Sequence, residues 1–389
     1  MLPLIISFLH ICNDMFSSFL APLLPSLQGR FGVSYAAVSL VVAIYSFSSS
    51  LLQPVAGLIA DRYDRRLLAA IGPLLVVLGF GFLGFYPNLI VMAISLSVAG
   101  LGSALFHSSG AALAGQYAPA GKKGFWLSFF ASSGMFGIAM APMVAVGMEN
   151  GVGLKGLALL TPLGAVAAFL LMRQAPPINI DAKPSSFRDL ARVFRGEVAK
   201  LWAISTLRNV TFMSFSTTIP FWFAQRGISD AQMAITLSIY SFAAVAGTFI
   251  GGTLSDRVGR KRVLVMTMVG SLPIYAALML FRPESWLYIP LLALAGALMN
   301  AGIPVAVAMA QEYEPKQIAT VSGLLMGFTW GFAGLLYGII GPLVERFGVV
   351  PTLTVLGLLL IPALVITLSL SNPALQTAAS DFKTTAEPS

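Results

Sequence analysis

Twelve apolar stretches, each long enough to cross a lipid bilayer, constrain the fold of this chain more than any other feature. A helix needs roughly 20 apolar residues to span the hydrocarbon core. The chain as a whole is 57% hydrophobic and only 10% charged. Backbone groups in lipid are satisfied only in helices or closed barrels, and unbroken apolar runs without alternation favour helices. The sequence therefore predicts an all-α polytopic membrane protein.

The predicted transmembrane helices fall into two groups of six, separated by a longer polar loop. The loop contains Pro176, Pro177 and Pro184 among charged residues, and its later part resembles an amphipathic surface helix. We predict an N-terminal six-helix bundle (1–172), a cytoplasmic linker (173–200), a C-terminal six-helix bundle (201–371) and a disordered cytoplasmic tail (372–389). The twelve predicted spans are 3–27, 35–59, 67–85, 89–114, 125–147, 154–172, 201–224, 231–254, 263–281, 286–310, 321–344 and 352–371.

The two halves of the chain repeat each other. The segment from Gly57 to Arg62 recurs as Gly252 to Arg257, displaced by 195 residues. The same offset, or one residue more, relates Tyr117 to Tyr313, Pro119 to Pro315, Asn13 to Asn209 and Pro25 to Pro220. A repeat after an even number of spans keeps its orientation, so an axis along the membrane normal relates the halves. Such a repeat predicts a substrate site between the halves, near the midplane.

The formal net charge of +8 does not indicate nucleic-acid binding, because most basic residues lie in loops on one predicted side. Arg65, Arg66 and Lys261 are examples. This asymmetry follows the positive-inside rule and predicts a multi-pass protein of the cell (inner) membrane with both termini in the cytoplasm. Cys12 is the only cysteine, so neither a disulfide framework nor a cysteine metal cluster is predicted.

Asp14 is the only carboxylate that lies inside a predicted span. His10 lies four residues earlier, so a helix places both side chains on one face. An ionisable group at bilayer depth costs about 3 kcal/mol or more, and it usually marks a proton or substrate pathway. The alternative is that Asp14 is a satisfied polar group that ties two helices together.

His107 is the other of the chain's two histidines and lies in the fourth predicted span. It and His10 are each about seven residues from the predicted cytoplasmic edge, so both lie about 10 Å into the membrane. Because histidine titrates near neutral pH, we predict that His10, Asp14 and His107 form a proton relay. Alternatively, each histidine merely bridges helices. Two histidines and one aspartate without close ligand spacing do not predict a metal site.

Arg208 is the only arginine inside a predicted span. A buried guanidinium could hold a phosphonate, phosphate or carboxylate through paired hydrogen bonds. Alternatively, the side chain extends to the cytoplasmic headgroups, about eight residues away along the helix. Other candidates for lining a substrate cavity, all of residue types that more often serve in packing, are Asn13, Tyr45, Gln53, Asn209, Phe212, Tyr240 and Asn300.

The loop after the eighth predicted span, 252–261, reads G-T-L-S-D-R-V-G-R-K. It resembles the loop signature of the major facilitator superfamily, which implies the major facilitator fold and a loop that steadies one end state of the transport cycle. The first copy departs from that signature at Asp64, where the family prefers glycine. The motif residues carried over by this resemblance are Gly57, Asp61, Arg62, Gly252, Asp256, Arg257, Gly259 and Arg260.

Three segments of the first half resemble the fosmidomycin-resistance-type exporters. They are 9–15 (L-H-I-C-N-D-M), 49–57 (S-S-L-L-Q-P-V-A-G) and 100–107 (G-L-G-S-A-L-F-H). The resemblance implies proton-driven export of a small, often anionic, compound. After His107 this chain lacks the proline, acid and base that commonly follow in that group. The specific substrate therefore does not carry over.

Together these features predict a secondary active transporter that exports a small, anionic or drug-like compound by proton antiport. A proton symporter or facilitator for uptake of an organic anion is the alternative, and the direction of flux separates the two. A receptor on this fold would be expected to carry a larger soluble domain. No nucleophile–base motif or phosphate loop is present, so neither an enzyme nor a cofactor is predicted. The predicted partners are the substrate, protons and lipid, and a monomer suffices.

Overall fold

The computed structural model describes residues 1–60, 63–119, 123–176, 193–315 and 318–371. The described residues form helices joined by turns, and they contain no β-strand. The tail and most of the predicted linker lie outside them. The helices are α1 (Leu2–Ser17), α2 (Leu20–Phe31), α3 (Tyr35–Ser46), α4 (Gln53–Ala60), α5 (Arg65–Gly81), α6 (Leu89–Gln116), α7 (Lys123–Val152), α8 (Thr161–Gln174), α9 (Gly196–Gln225), α10 (Asp230–Val258), α11 (Arg260–Leu280), α12 (Tyr288–Tyr313), α13 (Ile318–Gly323), α14 (Thr329–Phe347), α15 (Val349–Leu358) and α16 (Leu360–Leu368).

Nine helical stretches among the described residues are long and apolar enough to cross a membrane. A shorter apolar helix, Tyr35–Leu51, lies in the second predicted span. The third and seventh predicted spans are helical as well, but α5 has only 17 residues and α9 carries more polar side chains. The all-helical class is therefore confirmed, whereas length and composition establish nine spans and not the predicted twelve.

Two spans are interrupted by π-helical turns. The first covers Phe47–Leu51 between α3 and α4, and the second covers Leu324–Phe328 between α13 and α14. In the first turn the Ser48 hydroxyl donates to the carbonyls of Ile44 and Tyr45, at 3.1 and 2.9 Å. Serine hydroxyls that bond back to the preceding turn tend to bend a helix. The two π turns lie next to each other in the fold, and such turns are frequent at functional sites.

Small residues let helices pack closely within each half. In the first half, α1 packs against α5, α6, α7 and α8. In the second half, α10 packs along α12. A Cβ atom built on Gly247 or Gly251 would lie 2.0 Å from the carbonyl oxygen of Ala297 or Ala301, so only glycine permits this approach.

The two halves contact each other through α2 with α9, α3 with α14 and α7 with α10. A Cβ atom on Gly334 of α14 would lie 2.1 Å from Cβ of Ser46, which shows how closely α14 approaches α3. At the far end of this contact, the Tyr35 hydroxyl hydrogen-bonds Thr218 Oγ1 at 3.1 Å and also the Tyr337 hydroxyl. By contrast, α4 and α13, which continue the same two spans, share few contacts in the described residues. The halves are therefore joined mainly at one end.

Candidate functional site

His10, Asp14 and His107 lie together where α1 and α6 meet. His10 Nε2 lies 3.2 Å from Asp14 Oδ2, and His107 Nε2 lies 3.3 Å from Asp14 Oδ1. The two imidazole rings are 5.1 Å apart and nearly perpendicular. One carboxylate thus bridges both histidines of the chain, as their shared depth in the sequence predicts.

Helix α7 packs directly against this cluster. The Phe130 carbonyl lies 2.7 Å from His10 Nδ1, and the Phe130 ring stacks on the imidazole at 4.1 Å. One turn later, a Cβ atom on Gly134 would lie 2.4 Å from both Asp14 Oδ2 and His10 Nε2. The absence of a side chain at Gly134 therefore lets α7 lie directly over the His10–Asp14 contact.

Hydrogen bonds to backbone carbonyls determine the histidine tautomers. His107 Nδ1 lies 2.9 Å from the Ser103 carbonyl, as His10 Nδ1 lies 2.7 Å from that of Phe130. A carbonyl oxygen only accepts, so it follows that both Nδ1 atoms carry a proton. Both Nε2 atoms face carboxylate oxygens, which in the ionised state are acceptors as well. Each contact between an Nε2 atom and a carboxylate oxygen is therefore a hydrogen bond only when a further proton lies between these two atoms.

The three side chains of the cluster differ in exposure. The His107 side chain is 31% exposed, whereas the side chains of Asp14 and His10 are 12% and 7% exposed. His107 is therefore the most exposed member of the cluster, followed by Asp14 and then His10.

Two of the predicted substrate residues, Asn13 and Tyr45, adjoin the cluster. Asn13 Nδ2 donates to Asp14 Oδ1 at 2.9 Å and to Ser103 Oγ at 3.1 Å. Tyr45 lies near Asp14 and Ser103. The sequence analysis missed Ser103, although its position four residues before His107 on α6 could have identified it.

The same three side chains offer one ligand atom each within 4.8 Å of one another, a spacing that could hold a metal ion. The predicted absence of a metal remains a prediction.

The predicted residues of the second half lie in separate contacts. Phe212 and Tyr240 stack at 4.8 Å, and the Tyr240 hydroxyl hydrogen-bonds that of Tyr275 at 2.9 Å. Asn209 donates to Thr329 Oγ1 at 2.9 Å, and Asn300 donates to the carbonyl of its own helix at Gly296. Asn209, Tyr240 and Asn300 are buried in this conformation and Phe212 is half-buried. All four pack inside the second half and do not join the His–Asp cluster.

Gln53 and Arg208 occupy different surroundings. Gln53 reaches the other half, where a Cβ atom on Gly327 would lie 2.2 Å from its Oε1. Arg208 is 2% exposed and packs against α11 and α12, so the protein encloses the guanidinium. A side chain that extended to the headgroups would be exposed instead.

The second copy of the loop motif forms an ion-pair network. Arg260 Nε lies 3.1 Å from Glu312 Oε1, and Arg260 Nη1 donates to Ser255 Oγ at 2.6 Å and to Asp256 Oδ1 at 2.5 Å. Gly259 has φ +98°, a conformation that favours glycine. Glu312, at the end of α12, is a residue that the sequence predicts to be solvated or paired with a neighbouring loop, and no local pattern identifies Arg260 as its partner.

The other motif residues lie outside this network. Gly57 and Gly252 lie within α4 and α10, and Arg257 is exposed near the end of α10. Asp61 and Arg62 of the first copy lie outside the described residues.

Comparisons with known proteins agree with this architecture. A family model described as Major Facilitator Superfamily matches residues 6–338. The chain is 27% identical over 353 residues to the Fosmidomycin resistance protein of Escherichia coli (strain K12), covering 88% of this chain and 86% of that protein. It is 26% identical to the probable nitrate/nitrite transporter NarK2 of Mycobacterium tuberculosis (strain CDC 1551 / Oshkosh), covering 87% and 86%.

A solved structure shows the same fold. The bacterial homologue of the human lysosomal transporter Spinster, in an inward-facing and unoccupied conformation, aligns with a TM-score of 0.77 at 14% identity. The alignment covers 94% of this chain and 95% of that one.

The fold and the family match define a multi-pass membrane transporter of small molecules. The chain belongs to the Major Facilitator Superfamily. It is therefore not an enzyme, a monomer is sufficient for transport, and its bacterial relatives indicate the inner membrane.

Proposed function

We propose that the protein is a proton-coupled exporter of a small, anionic or drug-like compound. In this proposal it has twelve transmembrane helices in two six-helix bundles, 1–172 and 201–371. The linker 173–200 and the tail 372–389 lie in the cytoplasm, as do both termini. The similarity to the Fosmidomycin resistance protein supports export of a toxic compound.

The observation that carries proton coupling is the cluster of His10, Asp14 and His107. In this cluster each histidine Nε2 lies 3.2 or 3.3 Å from an Asp14 oxygen. Without a proton between them, both atoms of each contact are hydrogen-bond acceptors. Without protons, the cluster presents a buried carboxylate against two imidazole lone pairs, which is unfavourable at low dielectric. We expect the protonated and deprotonated forms to favour different arrangements of α1, α6 and α7.

The conformation suggests where the protons leave. The halves are joined through α3 and α14, the end that the positive-inside rule assigns to the outside. The cavity would then open toward α4 and α13 on the cytoplasmic side, with His107 as its exposed member. In the export cycle the cluster loads protons from the outside in the opposite conformation and releases them inward here. Substrate binding and proton binding disfavour each other, which makes the exchange an antiport.

Uptake of an organic anion by proton symport or facilitated transport is the second candidate. Similarity to a probable nitrate/nitrite transporter favours it. The direction of net flux under an imposed pH gradient distinguishes the two functions.

The test is drug susceptibility in a bacterial host that lacks its own efflux pumps, against a panel of toxic anions that includes fosmidomycin. We expect the parent to protect the host and Asp14→Asn to lose protection. Asp230→Asn is the matched control, because this carboxylate is exposed at the start of α10. Greater sensitivity with the parent would instead establish uptake. Equal protection by the parent, Asp14→Asn, His10→Ala and His107→Ala would overturn proton coupling through this cluster.

A further inference from the structure

Arg208 is a buried cation without a charge partner in the part of the chain that the structure describes. The residue is 2% exposed, and its Nη1 atom has no hydrogen-bond partner. Arginine does not lose its proton in proteins. An isolated charge in a low-dielectric interior is strongly unfavourable unless it is paired. The polar side chains nearby, Thr267 and Tyr275, carry no charge to neutralise it. An anion must therefore neutralise Arg208 at some point in the cycle.

The guanidinium lies where α9, α11 and α12 meet. A Cβ atom on Gly302 of α12 would lie only 2.5 Å from Arg208 Nη1 and 3.4 Å from Thr267 Oγ1 of α11. The absence of a side chain at Gly302 therefore leaves the space that the guanidinium occupies. Ser271 follows Thr267 by one helical turn on α11, and its fully buried hydroxyl has no partner either. An unpartnered hydroxyl thus lies one helical turn along α11 from the threonine that borders Gly302.

The described carboxylates of the second half lie at or next to the ends of helices, and most of them are engaged there. The pairs are Glu197 with Lys200, Glu284 with Arg226, Asp256 and Glu312 with Arg260, and Glu345 with the backbone N–H of Ala36. Asp230 is the first residue of α10, and Glu314 directly follows α12. None of these pairs involves Arg208. The anion that Arg208 requires must therefore come from outside the described chain.

We propose that Arg208 is an anion-binding site and that it takes the acidic group of the transported compound. This rests on the proposed function. A phosphonate, phosphate or carboxylate group matches the guanidinium through two parallel hydrogen bonds, and the unpartnered hydroxyl of Ser271 offers a further donor. The 196-residue repeat pairs Arg208 with Cys12, two residues before Asp14. Substrate charge and protons are thus bound at equivalent depths in different halves.

Binding of an anion to the purified full-length chain tests this proposal without requiring transport. Methylphosphonate is titrated in chloride-free buffer while the thermal unfolding midpoint is recorded, and the same titration of R208Q is the control for ionic strength. We expect a saturable rise in the parent and its complete loss in R208Q. R208K should give a weaker shift, since lysine keeps the charge but lacks the planar pair of donors. R226Q is the matched control, because Arg226 is a surface arginine paired with Glu284, and it should behave like the parent.

Gly302→Ala keeps the arginine but fills the space against which it packs. It should reduce the methylphosphonate shift even if R208Q is poorly folded. No saturable shift in the parent, or an unchanged shift in a well-folded R208Q, would overturn the site. A shift with chloride that depends on Arg208 and that methylphosphonate does not displace would mean a resident inorganic ion and would overturn the substrate assignment. Arg208-dependent binding in a protein that exports nothing would leave the site standing while the proposed function fails.

Discussion

The hydroxyls of Tyr117 and Tyr313 make the same hydrogen bond in the two halves of the chain. Tyr117, after α6, donates to the Pro176 carbonyl at 2.8 Å, and Tyr313, at the end of α12, donates to the Ser371 carbonyl at 2.5 Å. Each bond holds the segment that follows the last helix of its half.

Basic residues reinforce both contacts in the same way. Arg66 Nη1 donates to the Ala175 carbonyl at 2.7 Å, and Lys261 Nζ donates to the Leu370 carbonyl at 2.6 Å. These two contacts are also related by the 195-residue offset. The repeat seen in the sequence is therefore a repeat of contacts, which supports a common architecture for the two halves.

Replacing either tyrosine by phenylalanine should lower the free energy of unfolding by about 1 kcal/mol, the typical value for one hydrogen bond. The sites lie in different halves, so the double variant should lose about the sum. Unfolding in mixed detergent micelles by increasing sodium dodecyl sulfate measures this. Tyr63→Phe is the control, because Tyr63 is 63% exposed. An effect confined to one of the two tyrosines would contradict the equivalence of the halves.

Gly134→Ala should disturb the His–Asp cluster from a residue that has no titratable group. Its methyl group would lie 2.4 Å from Asp14 Oδ2 and His10 Nε2, so either the pair or α7 must move. We expect a loss of about 1–3 kcal/mol in the free energy of unfolding, as for overpacked cores, together with a shifted pH profile of transport. Transport into inside-out vesicles, measured from pH 5.5 to 8.5 as rough limits around the histidine range, provides the profile.

Gly147 offers the matched control on the same helix. A Cβ atom there would meet nothing within 4 Å. Gly147→Ala should therefore leave the pH profile unchanged and stabilise α7 slightly, by up to about 1 kcal/mol. If Gly134→Ala and Gly147→Ala had the same pH profile, Gly134 would not position the cluster.

Asp64 explains why the first copy of the loop motif tolerates a departure from glycine. Its carboxylate accepts from the Arg66 backbone N–H at 2.9 Å and so caps the start of α5. The Arg66 side chain, hydrogen-bonded to the same carboxylate, holds the pKa of Asp64 below its usual range. A lowered pKa means that this stabilisation is present above the ordinary aspartate pKa of about 3.9 and disappears as pH falls through the lowered value.

Asp64→Ala should therefore cost about 1 kcal/mol at neutral pH, as for other lost N-caps. The difference from the parent should shrink below about pH 4, where the parent's carboxyl group takes up its proton. The free energy of unfolding, measured at a series of pH values, tests this. Asp64→Asn keeps a hydrogen-bond acceptor at the N-cap but carries no charge. The contribution of this asparagine cap to the free energy of unfolding should therefore not change with pH. A difference between parent and Asp64→Ala that stayed constant to strong acid would contradict the role of the charge.

The helices and the meeting of the two histidines could be predicted because both depend on simple lengths. Bilayer thickness sets the length of a span. A constant helical rise places His10 and His107 at one depth when they are equally far from the same edge. The contact of both with Asp14 then needed only that α1 and α6 be neighbours.

Other parts of the site depend on how helices rotate and which helices are adjacent, which one sequence does not specify. Arg208 could be enclosed or could extend to the headgroups, and only the orientation of α9 decides between them. Gly134 covers the His10–Asp14 contact because α7 packs on α1, a relationship without a local signal. Arg260 and Glu312 pair across helices for the same reason. Hydropathy likewise supports only nine spans among the described residues, because α5 is short and α9 is polar.

The Tyr35–Tyr337 contact should stabilise the conformation in which α3 and α14 lie together. The Tyr35 hydroxyl bonds both Thr218 and Tyr337, so residues of the two halves share one buried hydrogen-bond network. Tyr35→Phe removes its contacts without changing the ring that packs on Phe221. Losing about 1 kcal/mol of hydrogen bonding should raise the population of the separated state about fivefold.

Double electron–electron resonance between spin labels at positions 29 and 347, in a Cys12→Ala background, would measure that population. Both positions are exposed at the ends of α2 and α14. Tyr288→Phe is the matched control, because Tyr288 is fully buried and its hydroxyl has no hydrogen-bond partner. The longer distance should become more frequent in Tyr35→Phe and stay at the parent level in Tyr288→Phe. Because opening at this end is the step that admits protons from the outside in the proposed cycle, Tyr35→Phe should also reach the proton-loaded state more readily. An unchanged distance distribution in Tyr35→Phe would mean that the close packing of α3 on α14, and not the hydroxyl network, holds the halves together.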